Sequence, residues 1–329
     1  MTLLLDHLTS WHGPWRGHQA IVVGLGAAGF SVVDTLVELG VEVTVIAREA
    51  DDDVVNIAAV LGARIVVSDR NQDRARAAEG SADFAVISPG VADSDPAVQR
   101  LRELDVPMLS EIDFAWRVRD KYGEPTDWIV VAGERHQALI AEVSARILRA
   151  DNRVVGVAGF ESSPVLDLIR DPVRYDLIIV RASTASLAWW GSHGASGREP
   201  LVSVAVDDDL SPSASVVFEG TKLACVYNRG AGPTELYVED ADVVEGARAI
   251  GIGLDSPGMS DIGMVEGILC DRAFLDDRRN QALEISTLEE LHEAGWDIPG
   301  VLPALLAAVA IARSQEVSPA LIAGVLSLP

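Results

Sequence analysis

Two stretches carry residues whose types and spacing suit phosphate binding. The first is Gly24-Leu25-Gly26-Ala27-Ala28-Gly29, directly after the apolar run Gln19 to Val23. Its G-x-G-x-x-G spacing permits a tight turn and lets the backbone approach a pyrophosphate at a helix N-terminus. The second is Trp128 to Leu148, WIVVAGERHQALIAEVSARIL. There an apolar strand meets Gly133, a short polar turn and an amphipathic helix from about Gln137, the frame of a phosphate-binding loop. The groups that make such a loop work are missing. The pattern G-x-x-x-x-G-K-[ST] needs a second glycine, a lysine and a hydroxyl, and the turn offers His136, Gln137 and Ala138.

The first motif leaves its ligand open. A nicotinamide dinucleotide site expects Asp or Glu at the end of the second strand to hold the ribose. Ala47 and Arg48 stand there, with Glu49 just beyond. Three readings remain: a nicotinamide cofactor, another diphosphate ligand such as a UDP-sugar, and a merely structural turn. Ser88-Pro89-Gly90 and Ser110-Glu111 fall at the ends of further strands, where ligands of open α/β sheets bind; for Pro89-Gly90 a plain turn is the alternative. Asp207-Asp208-Asp209 closes another strand and offers oxygen ligands to a divalent cation, although a solvated turn is the commoner meaning of such a run. Cys225 and Cys270 have no metal or redox spacing and read as buried free thiols.

The elements that would position these residues follow a regular alternation. Strands Gln19 to Val23, Val41 to Ile46, Ala63 to Val67, Phe84 to Ser88 and Pro107 to Leu109 alternate with helices, the last from Glu111 to Val118. That rhythm implies a parallel sheet in a doubly wound, Rossmann-like domain over residues 1–126. Asp120 to Asp127 reads as a linker. A second α/β domain, residues 127–329, opens with the altered loop. It continues through strands Arg153 to Ala158, Leu177 to Ala182, Leu201 to Val206 and Leu223 to Tyr227, a strand-and-helix stretch Val243 to Gly251, and a β-rich excursion Gly253 to Cys270. Two short alanine- and leucine-rich helices lie between Pro303 and Leu328.

Composition narrows the partners. The formal charge of −24 argues against nucleic acid, whose binding needs clustered cations. Only Lys121 and Lys222 are lysines, so no mechanism that needs several lysines can run on this chain. No apolar run reaches the roughly 18 to 20 residues of a membrane span, and no signal pattern opens the chain. A cytoplasmic protein without membrane insertion is expected.

Several stretches together resemble the Mur ligases of peptidoglycan synthesis, in particular the UDP-N-acetylmuramoyl-L-alanine:D-glutamate ligases of actinobacterial type. They are Gly24 to Ser31, Ile87 to Val91, Pro107 to Trp116, Trp128 to Gly133, Gly220 to Asn228, Asp242 to Ile250 and Asp271 to Ala282. The resemblance implies a UDP-binding domain followed by a P-loop ATPase domain and a third, C-terminal domain. It implies ATP and Mg²⁺ as cofactors for making an acyl phosphate that an amino acid attacks. It also implies that Gly24, Gly26, Ala27, Ala28, Gly29, Arg48, Ser88, Pro89, Gly90, Ser110 and Glu111 lie near a UDP-sugar pocket.

The second domain departs from the family at its chemical positions. Against the family loop T-G-T-N-G-K-T-T stand Ala132, Gly133, Glu134, Arg135, His136, Gln137, Ala138 and Leu139. Glu134 puts a carboxylate where phosphate should lie. The family's acidic metal ligand falls at Arg181, its N-x-x-P-D-H-L-D stretch becomes the segment around Val204 to Ser211, and its carbamylated-lysine segment is expected to be deleted between Ser215 and Val217. The chain stops where the third domain would begin, so that domain is expected to be absent. Phosphoryl transfer is nearly all positioning and electrostatic stabilisation, and loss of one stabilising donor typically costs on the order of 10² to 10³ in rate. No catalytic residue, metal site or bound cofactor is therefore expected, ATP and Mg²⁺ having been lost. The expected function is a catalytically inactive pseudo-ligase that binds a UDP-sugar-type ligand or a cell-wall biosynthetic protein, with self-association also open. The alternatives are ligase activity completed by a partner chain and an NAD(P)-binding oxidoreductase.

Overall fold

The computed structural model describes residues 4–190 and 198–328. It divides into two compact units, with the main cut between Thr126 and Asp127. The first unit also takes in two later pieces of chain, Ala158–Val173 and the stretch from Ala185. A purely linear division of the chain therefore misses part of the first unit.

In the first unit, β1 (Gln19–Val23), α1 (Ala27–Glu38), β2 (Glu42–Ala47), α2 (Asp52–Val60), β3 (Arg64–Val67), α3 (Asn71–Ala77), β4 (Phe84–Ile87), α4 (Pro96–Glu103), β5 (Met108–Ser110) and α5 (Glu111–Arg117) follow in order. The strands form one parallel sheet in the order β3-β2-β1-β4-β5. β1 and β4 are Val/Ile-rich and almost wholly buried, as strands covered on both faces must be. Three of these helices, α2, α4 and α5, start on side-chain caps: Asp51 accepts from Asp53 N–H, Asp95 from Ala97 N–H, and Ser110 from Asp113 N–H. Strand order reverses between β1 and β4, which opens a crevice at their C-terminal ends.

The second unit is built on β6 (Asp127–Ala132) and α6 (Gln137–Ala150). After β7 (Val155–Gly159) comes α7 (Val165–Arg170), which belongs to the first unit, then β8 (Leu177–Ala182) and α8 (Thr184–Trp190), most of which also joins the first unit. β9 (Val202–Ala205), β10 (Ala224–Asn228), α9 (Gly232–Glu239), β11 (Arg248–Ile252), β12 (Asp261–Val265), β13 (Ile268–Asp271), β14 (Leu283–Thr287), α10 (Leu288–Glu293), α11 (Leu302–Ser314) and α12 (Pro319–Leu326) complete it. The nine strands run β14-β13-β12-β11-β10-β9-β6-β8-β7. The neighbours of β6 are β8 and β9, both parallel to it, while β12, β13 and β14 form an antiparallel edge. β6 is thus the switch point of this sheet, and the loop that follows it lies where ligands of such sheets bind.

The α/β class and the Rossmann-like first sheet match the sequence expectation. Differences have local causes. Residues 243–247 are loop and β11 starts only at Arg248, because Gly246 turns the chain at φ +98°. α9, absent from the sequence expectation, begins on Gly232-Pro233, a helix start where proline's missing N–H is not needed. α11 is buried on nearly every side, so it shows no amphipathic stripe. It packs against α6, β10 and β11 and carries much of the core of this unit. Among the described residues, no helix is long and apolar enough to cross a membrane.

Leu305, near the start of α11, is fully buried. Leu305→Ala is expected to destabilise the protein by about 2–5 kcal/mol, the usual cost of a core cavity. Urea denaturation reads this as a lowered midpoint with an unchanged slope.

Candidate functional site

The crevice of the first unit is a cleft of about 1200 Å³. Gly24, Gly26, Ala27, Ala28, Gly29, Arg48, Ser88, Pro89 and Gly90 all line it. The three motif glycines do different work. Gly24 has φ +96°, and a Cβ there would press on Ser88 and Val91. A Cβ on Gly29 would collide with the Gly24 carbonyl oxygen, so this glycine lets α1 close against the turn. Gly26, the residue at the N-cap of α1, has open space where its Cβ would be, and no side chain caps the helix. The uncapped N–H groups of α1 and the space beside Gly26 form a cradle suited to an oxyanion.

Arg48 is exposed on the wall of the cleft and forms no ion pair among the described residues. Arg74, which the sequence reading missed, also lines the cleft but is 4% exposed. It is held by Asp95 (Nε to Oδ2, 3.3 Å), Ser68 O (2.8 Å) and Asn71 Oδ1 (2.9 Å). Nothing in the polar, surface-like sequence of α3 marks it as buried.

Ser110 and Glu111 are not in the lining of this cleft. Ser110 is the N-cap of α5, and Glu111 is buried beneath α8, where Ser186 Oγ donates to its Oε1 at 3.0 Å. Its Oε2 has no hydrogen-bond partner among the described residues. Burial pushes the Glu111 carboxyl up to about 7, against the opposing effect of its hydrogen bonds.

In the second unit the altered loop has a filled anion site. Gly133 takes φ +119°, and the loop then directs the Glu134 and Arg135 N–H groups onto Asp207 Oδ2, each at 3.0 Å. His136 Nδ1 meets Asp207 Oδ1 at 2.6 Å. A Cβ on Gly133 would strike the same carboxylate. Asp207, 1% exposed, thus occupies the position in which a phosphate-binding loop would hold phosphate. Burial alone would raise its carboxyl, but the bonds from His136, Arg135 N–H and Glu134 N–H outweigh burial and hold it below the usual carboxylate range.

The carboxylate in the cradle is therefore not that of Glu134, whose side chain is exposed. Arg135 does bind anions, but they are Asp208 and Asp209, each at 3.0 Å. The acidic run at the end of β9 so spends its carboxylates on the loop. Gln137, at the position of the family lysine, is 1% exposed and folds back to donate from Nε2 to Gly133 O. Ala138 opens α6 on its exposed side and supplies no hydroxyl. Arg181 stands on β8 beside Val131. A cavity of about 740 Å³ adjoins the loop, and Arg229 on its wall is likewise paired, with Asp255 at 2.6 Å and Asp261 at 3.3 Å.

Comparison with known proteins bears on the family and the fold. Residues 18–110 match the family model for the N-terminal domain of MurD-like Mur ligases. The UDP-N-acetylmuramoylalanine--D-glutamate ligase of Leifsonia xyli subsp. xyli is 40% identical across 98% of this chain and 66% of that protein. The protein of the same name from Tropheryma whipplei (strain Twist) is 37% identical, with coverages of 96% and 67%. The chain thus spans about two thirds of the length of these curated relatives. Among solved structures, a murein peptide ligase from Psychrobacter arcticus 273-4 superposes with a TM-score of 0.51 at 10% identity, covering 94% of this chain and 68% of that one. The UDP-N-acetylmuramate:L-alanyl-gamma-D-glutamyl-meso-diaminopimelate ligase from Neisseria meningitides gives 0.53 at 14%, with coverages of 94% and 97%. These two likenesses establish the fold: paired α/β units with a glycine turn at the switch point of each sheet. By its sequence relatives the chain belongs to the Mur ligase family of peptidoglycan biosynthesis.

Two titrations follow. Because the folded Glu111 carboxyl sits above its unfolded value, its contribution to stability is fully present below about pH 4.5 and is lost as pH rises through 7. Glu111→Gln removes that loss and is expected to stabilise the protein by roughly 2–3 kcal/mol at pH 8 and little at pH 4. Asp207 has the opposite sign: its contribution is present above the unfolded carboxylate value, about 3.9, and fades as pH falls further. Asp207→Asn is expected to cost about 1–3 kcal/mol at pH 7, with the difference from wild type shrinking towards pH 3. Denaturant titrations across this pH range measure both.

Proposed function

We propose that this chain is a pseudo-ligase of the Mur family, binding a UDP-sugar-type ligand in its first unit and transferring no phosphate in its second. The observation that carries the reading is the Asp207 carboxylate inside the loop. Two N–H groups that would bind a nucleotide phosphate already bind an anion of the chain itself. A phosphate entering there would meet a buried negative charge, and like charges at contact repel strongly in such surroundings. The cations beside the loop offer no compensation, since Arg135 and Arg229 are both paired with aspartates. Gln137 cannot replace the lysine, being uncharged, buried and bonded to Gly133.

The first unit supports the ligand half of the reading. Its cleft combines the open cradle at Gly26 with the exposed guanidinium of Arg48. A diphosphate would take N–H groups from the start of α1 and a charge-assisted bond from Arg48. The relatives are named for UDP-N-acetylmuramoylalanine, which makes that compound, together with UDP, the ligand to test.

Calorimetry of the full chain with UDP-N-acetylmuramoyl-L-alanine is expected to give saturable binding. Arg48→Ala is expected to weaken it about tenfold, the loss of one charge-assisted bond. Gly26→Val fills the cradle without touching the fold, so it is expected to abolish binding while the unfolding midpoint stays in place. ATP with Mg²⁺ is expected to leave thermal stability unchanged. Stabilisation by ATP would sink the pseudo-ligase reading, and absence of any UDP-dependent heat would sink the ligand reading.

A further inference from the structure

The second unit has another cavity, of about 630 Å³, at the opposite ends of its strands from the loop. Leu223 and Ala224 at the start of β10 and Arg248 at the start of β11 border it. Three arginines, Arg248, Arg278 and Arg313, share its wall with Phe274. Arg313 is committed to the fold. Its Nε donates to the fully buried Asp271 carboxylate at 2.8 Å, and its other nitrogens donate to Val317 O and Phe274 O.

Arg248 and Arg278 are not committed in this way. Among the described residues neither forms an ion pair, although the chain carries 50 acidic residues against 26 basic ones. Among the described residues the Arg248 side chain makes one hydrogen bond, to Ala273 O, and its guanidinium lies 5.1 Å from the centre of the Phe274 ring. With one side-chain bond used, the remaining guanidinium N–H donors of Arg248 are available to another partner. Both arginines are partly buried. Burial pushes the Arg248 guanidinium down, the neighbouring Arg278 charge adds to that, and Asp271 offsets it in part. Two half-buried like charges facing one cavity are held together at a cost that an anion between them would remove.

We propose that this cavity is a binding site for a small molecule bearing one compact oxyanion group, a phosphate or a carboxylate, held between Arg248 and Arg278. Guanidinium groups bind both oxyanions in the same two-point manner. The volume suits a metabolite-sized ligand. Asp276 and Glu316 on the wall restrict the anionic part to a single group, because an extended polyanion would meet their carboxylates. The site shares no residue with the cleft of the first unit or with the loop cavity.

The test is an NMR titration of the full chain that follows the arginine Nε–H signals, assigned by their disappearance in Arg248→Ala and Arg278→Ala. Inorganic phosphate and succinate are added separately at constant ionic strength, with chloride as the control. Saturable shifts at both arginines with phosphate alone mark a phosphoryl ligand, and with succinate alone a carboxylate ligand. Either result, or both, supports the site, provided that Arg278→Ala weakens the Arg248 response about tenfold. Among the described residues Arg278 makes no side-chain hydrogen bond or ion pair, so its variant keeps the test valid if Arg248→Ala fails to fold. No saturable shift with either anion, or an equal response in Arg278→Ala, overturns the proposal. Because the readout is at these two arginines, failure here is independent of whether a UDP compound binds the first unit.

Discussion

A loop that turns its backbone N–H groups inward at the switch point of a sheet must find an acceptor for them. Left unpaired in a buried place, such groups cost on the order of 1–3 kcal/mol each. Here the acceptor is Asp207, brought to Glu134 and Arg135 from 72 or 73 positions further along the chain. That single carboxylate ties the end of β9 to the start of α6 and sets Gly133 in a conformation only glycine adopts easily. It also determines what the neighbouring groups can do. Arg135 is drawn to Asp208 and Asp209, His136 to Asp207 itself, and Gln137 closes back on Gly133. The loop N–H groups thus find their acceptor within the chain.

The sequence made the first cleft legible because its parts act through local backbone geometry. A glycine needed for a turn, or one that lets a helix close on a strand, announces itself by spacing alone, and Gly24, Gly29 and Ser88 to Gly90 fall where spacing puts them. Arg74 did not, since its burial depends on Asp95 and Ser68 from other elements. Ser110 and Glu111 follow the same logic in reverse. At a strand end they look like ligand contacts, yet the serine caps a helix and the glutamate is covered by α8, a helix from much later in the chain.

The altered loop shows the limit most clearly. The sequence expectation put the Glu134 carboxylate in the loop, whereas the loop N–H groups bind Asp207. Glu134 is adjacent in sequence and its N–H does point into the cradle, which sends its side chain outward. The carboxylate that enters had been read as part of a metal-binding or solvated run. Pairing between distant loops is a tertiary fact, and the residue types at Asp207 to Asp209 permit several partners equally well.

The reach of α7 and α8 into the first unit has a consequence for how the protein comes into being. Ser31 donates to Asp167 at 2.5 Å, Arg170 pairs with Asp34 at 2.5 Å and Glu38 at 3.2 Å, and Trp190 packs edge-on against Trp116. When a ribosome has released the first 126 residues, the glycine turn and its strands are present but one wall of the unit is not. That wall arrives only after the first strands of the next sheet have also been made. Domains are commonly completed one after another as the chain emerges. Here the first to begin waits on the second, and its late, long-range contacts carry the entropic delay that such closures impose.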